Sequence, residues 1–167
     1  MEMLPLCSLG NHSDNLAEFI HSRQSMTFDQ LEGVAAETLA SMSVALPVDA
    51  FQVAVLFGLD LVMVSRSDEG FDGHCVRVNG RAPARAQQEY VAMCLARAKL
   101  EEDGYVLDAH SVTRLARAIM LPRIRFIRDL VEGCDLAQLR QRHPHASTAM
   151  IGARVADLYV GTHALNA

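Results

Sequence analysis

In this 167-residue chain, four cysteines and seven histidines are the side chains best suited to hold a metal or to attack a substrate. Their spacing suits neither task. Cys7, Cys75, Cys94 and Cys134 lie far apart and form no Cys-x-x-Cys pair, the spacing that structural zinc uses. Scattered cysteines of this kind read as reduced, buried apolar fillers. His143 and His145 stand two apart in a turn, and residues 75–109 contain no histidine. An unconventional metal site would have to join His74, Cys94 and His110, which form no i, i+4 pair. A nucleophilic Cys94 would need a base or a depressed pKa. Arg97 brings positive charge nearby, but no histidine is placed to serve as the base.

The segment that must position these groups reads EYVAMCLARAKL, residues 89–100. Residues 90–96 are apolar without a break, and the run is rich in Ala, Leu and Met rather than β-branched. Such a composition favours a helix, and a helix apolar most of the way round belongs in a core. Met93 and Cys94 are therefore expected as core fillers. Arg97 is expected either to pair with Glu101, one turn on, or to line a cleft and meet a partner's carboxylate.

Around this helix the periodicity predicts a largely helical chain. Asp14 caps a short helix in DNLAEFIHSR, and Thr27 or Asp29 caps one carrying Leu31, Val34, Ala35, Thr38, Leu39 and Met42, closed by Pro47. Asp49 caps a helix over 51–56 that stops at Gly58. LDLVMV and HCVRVNG read as strands, with SDEGFDG a loop between them and Asn79-Gly80 a turn. A further helix ends at Pro122. Asp135 then caps a short helix, HPHAS turns, and Ser147 caps a last helix over 148–158.

This order of segments resembles the ImmA/IrrE family of zinc metallopeptidase-like proteins over about residues 28–160. The likeness rests on PVDAFQVAVLFGLDLVMV, a loop, CVRVNG, the central helix, a helix ending AIMLP, and the tail DLAQLRQRHPHASTAMIGARVADL. In that family the central helix carries A-H-E-L-x-H, two histidines on zinc with a glutamate as general base. On this chain the motif falls on AMCLAR, putting Met93 and Arg97 at the histidine positions and Cys94 at the glutamate. The family's third ligand, an acid opening the next helix, falls on Ser111. A thioether and a guanidinium cannot replace two imidazoles, since arginine stays protonated and has no lone pair to give. The resemblance thus implies a metallopeptidase scaffold with no catalytic residues, no metal and no cofactor.

The fold expected is α+β: a zincin-like, helix-rich domain with a small sheet and a helix–turn–helix-like C-terminal appendage. The divisions are 1–26, an N-terminal tail and short helix; 27–122, the metallopeptidase-like domain with the degenerate helix at 86–102; and 123–167, the helical end. No apolar run is long enough to span a bilayer, and the first twenty residues lack the features of a signal peptide, so a cytoplasmic protein is expected. Net charge is −5, but residues 114–154 hold eight arginines against three acids, which points an anionic partner there. Arg97, Arg123, Arg140, Arg142 and Arg154 are the candidate partner-facing residues. The function implied is a non-catalytic protein-binding regulator, its partner a helix–turn–helix transcription factor of a bacterial or phage circuit. The alternatives are direct DNA binding through the C-terminal helices, a peptidase with an unconventional site, and a structural homodimer.

Overall fold

A computed structural model describes residues 26–163, with side chains through residue 159. The short helix expected after Asp14, and Cys7, lie outside the described residues. Seven helices and a three-stranded sheet follow in the order α1 Phe28–Ser41, α2 Ala50–Phe57, β1 Asp60–Val64, β2 Gly70–Phe71, β3 Cys75–Asn79, α3 Ala84–Glu102, α4 Ala109–Met120, α5 Arg123–Val131, α6 Leu136–Arg142 and α7 Thr148–His163. The chain is α+β and helix-rich, as its periodicity predicts.

Most helix starts follow from local chemistry. Thr27 and Gln30 form a reciprocal capping box on α1, and Asp135 and Gln138 form another on α6. The Asp49 carboxylate accepts from the Phe51 amide at 2.9 Å, and Gly58, at φ 94°, ends α2 in the left-handed region. The Ser147 hydroxyl accepts from the Met150 amide at 3.1 Å. α1 stops earlier than the proline at position 47 suggests. Ser43 turns to φ 51°, and the amides of Ser43 and Val44 close back on Ala40 and Leu39.

The sheet order is β1-β3-β2, with β1 parallel and β2 antiparallel to β3. β2 lies inside the stretch read as a loop. Two residues carry no periodic signal, and Gly70 and Phe71 become a strand only because Arg77 and Val76 pair with them. Asp72 makes the reversal, its carboxylate accepting from the amides of His74 at 3.1 Å and Cys75 at 2.8 Å.

α3 runs through the middle, with Val91, Ala92, Leu95, Ala96 and Leu100 fully buried against α2, α4 and the valines of β3. Gln88 on α3 fixes the start of α2, accepting from the Ala50 amide at 2.7 Å and donating to Asp49 at 2.9 Å. The C-terminal helices share this core, through Phe126, Leu139, Met150, Ile151 and Leu158. The position after residue 122 is therefore a turn between helices and not a break between packed units.

A cleft over the central helix

One face of α3 is left open. Tyr90, Met93, Cys94 and Arg97, spaced at i, i+3, i+4 and i+7, form the floor of a cleft of about 540 Å³. Phe71 of β2 closes one side, and Leu107, Asp108, Val112 and Thr113 close the other as the chain enters α4. The approach to α4 leaves Tyr105, Val106 and Leu107 exposed at this side. Asp108 holds that wall in place. It caps α4, accepting from the amide and the hydroxyl of Ser111 at 2.8 and 2.6 Å. Those two Ser111 hydrogen bonds keep its carboxyl below the usual carboxylate range.

The structure brings Met93, Cys94 and Arg97 together on the cleft floor and leaves Ser111 out. Ser111 is buried and occupied with Asp108. Met93, expected in the core, is 42% exposed because the central helix is covered on three sides and not on the fourth. Cys94 is buried, as expected for a filler. Burial pushes its thiol up to about 11, against the smaller opposing effects of Tyr90 and Arg97, so it is protonated at neutral pH. Burial also raises the Tyr90 phenol, to about 12. Arg97 donates to Glu101 at 3.0 Å and lies over the Phe71 ring at 5.8 Å. Arg97 pairs with Glu101, the first of its two expected roles, and it also lines the cleft.

These donors do not fit the zinc that the resemblance implies for an active member. A thioether, a guanidinium already bound to a carboxylate, a protonated thiol and a serine facing elsewhere offer no tetrahedral set. The sequence reading missed Asp108, the acid on the cleft wall, although a carboxylate three residues before Ser111 at a helix start is a capping signal. His74 pairs with Asp60 at 3.4 Å on the surface, and no described cluster joins it to Cys94 and His110. Asp129, Glu132 and Cys134 do approach within 4.8 Å of one another. Arg142 already donates to both carboxylates, so that cluster is an ion pair network.

The partner-facing arginines divide. Arg154, expected at the surface, is fully buried. It donates to the Glu32 carboxylate, at 2.7 Å through one amino group, and to the Leu121 carbonyl at 3.0 Å. A guanidinium aligned for two carboxylate oxygens and a helix-end carbonyl can be taken out of water, which its position in the sequence does not reveal. Arg142 is engaged as described, and Arg123 donates to Asp29 at 2.9 Å. Arg140 is exposed, with no ion pair among the described residues. On α7, the second helix of the helix–turn–helix-like pair, the exposed positions 148, 149, 152, 155, 156 and 159 hold Thr, Ala, Gly, Val, Ala and Tyr. That face lacks the Arg, Lys, Asn and Gln side chains that read base edges.

Compared with known proteins, the chain matches no family model, no curated protein and no solved structure.

Proposed function

We propose that the protein is a non-catalytic regulator that binds another protein through the cleft over α3, on a metallopeptidase-like scaffold whose chemistry has been replaced. The observation that carries this reading is the cleft floor. Where a peptidase needs a metal and a base, Met93, Tyr90 and Cys94 present an apolar, uncharged surface with Arg97 at one end. A surface of this kind suits recognition, an apolar segment lying across Met93 with a carboxylate near Arg97. A transcription factor of the helix–turn–helix class is the partner that the sequence resemblance favours, held by sequestration and not by cleavage. Direct DNA binding is the weaker reading, because the exposed positions of α7 described through residue 159 hold no Lys or Arg.

A photo-crosslinking amino acid at Met93 tests the proposal in extracts of the native host. The expected product is one dominant adduct with a regulator, and Met93→Glu in the otherwise unaltered chain weakens binding of that regulator at least about tenfold. Failure to capture a specific partner, or stoichiometric zinc with peptide cleavage by the purified protein, would overturn it.

A further inference from the structure

Among the described residues β1 is an edge strand of the sheet with no neighbour on its outer side. Its parallel register with β3 turns alternate backbone groups inward: the Asp60 amide donates to the His74 carbonyl, and the Val64 carbonyl accepts from the Gly80 amide, each at 3.0 Å. The N–H and C=O groups of Leu61 and Met63 then point away from β3. Among the described residues no backbone or side-chain group pairs with them. An unpaired edge is normally guarded by lysine, proline, a bulge or a covering segment. Here the exposed strand side chains include Val62, at 46%, and Met63, at 58%, and the only charge is Asp60 at the strand's beginning. α2, which packs on β1 and leads into it, ends with Val55 at 59% and Leu56 at 51%.

We infer that β1 is the interface for a second copy of this chain, the two strands pairing antiparallel about a two-fold axis at Val62. The edge is self-complementary in that register. Leu61 faces Met63 of the second copy and Met63 faces its Leu61, and both are hydrogen-bonded pairs, so the four outward amides and carbonyls of each such pairing are used. Val62 faces Val62 as the close, non-hydrogen-bonded pair, an apolar contact. Asp60 faces Val64, which keeps the two carboxylates apart. Because the axis is perpendicular to the sheet, the helices of both copies lie on one face, and the ends of the two α2 helices, with Val55 and Leu56, approach across it. The product is a continuous six-stranded sheet with the α3 clefts on its outer halves. This inference does not rest on the regulatory reading.

The full chain is tested by sedimentation equilibrium, with an expected mass of twice 18.3 kDa. The register is tested by Val62→Cys, which on mild oxidation gives a disulfide-linked dimer, while Val64→Cys and the parent chain do not. Met63→Pro removes an outward donor and takes none from β3; the loss of two hydrogen bonds across the axis weakens association at least about tenfold. Met63→Lys, a charge on the same edge, gives the same result should the proline variant lose its circular dichroism signature. A parent chain that stays monomeric at all concentrations overturns the inference and leaves the edge to an extended segment of another protein. A dimer indifferent to Met63→Lys, or one whose Val62→Cys form does not cross-link, overturns it equally.

Discussion

Cys94 is the residue at which chemistry is most easily misassigned. It sits on a cleft floor beside an arginine, the setting of a reactive thiol, yet burial outweighs the arginine and pushes its pKa up to about 11. At pH 7.5 such a group carries about 100-fold less thiolate than an ordinary cysteine. Alkylation followed by peptide mapping should therefore label the half-buried Cys75 and Cys134 well before Cys94 at neutral pH. Labelling of Cys94 should accelerate steadily as the pH approaches 11. First labelling of Cys94 at pH 7.5 would restore it as a candidate nucleophile. Arg97 illustrates the converse. Its i, i+4 partner Glu101 was legible from spacing alone, whereas its place over Phe71 depends on a two-residue strand that spacing does not reveal.

At the scale of elements, legibility followed the range of the interaction responsible. The caps at Thr27, Asp49, Asp135 and Ser147 act within three residues, and each was readable. α5 was read only as part of the helical end: no side chain caps it, Pro122 opens it, and Phe126, Ile127 and Leu130 recur at helical spacing, with Phe126 and Asp129 buried. Asp129 is the more telling, a carboxylate with no exposure. Burial opposes its charge, but the hydrogen bonds from Arg142 and His143 keep its pKa below the ordinary value. The element that matters for the cleft is α4, because Asp108 both caps it and forms the wall. Asp108→Ala should cost about 1 kcal/mol at pH 7, measured by urea unfolding. The sign of the pH effect follows from the lowered pKa. The contribution is present above the usual carboxylate range near 4 and is lost as pH falls through the folded-state value. The difference between wild type and variant should therefore shrink in acid; a gap unchanged at pH 3 would mean that the cap's charge is not what stabilises α4.

For the molecule as a whole, the contacts from α7 decide what kind of unit this is. Arg154 joins α7 to Glu32 on α1 and to the end of α4, and Arg117 on α4 donates twice to Asp157 on α7, at 2.7 and 3.0 Å. Glu89 on α3 accepts from the Ser147 amide at 3.0 Å. Charges in a sequence read as surface, and only partners 122 residues apart make this pair buried. Arg154→Met should destabilise the chain by about 3–5 kcal/mol, since it leaves the Glu32 carboxylate buried and unpaired. The double variant with Glu32→Leu should recover most of that loss by chemical denaturation. A small cost for the single variant would mean that the C-terminal helices are a separable appendage.

The same pair sets the order in which the chain can be completed. During synthesis Glu32 leaves the ribosome long before Arg154, and until then α1 has no buried cation to answer it. The buried tie between α1 and α7 can therefore close only once the last helix has been made.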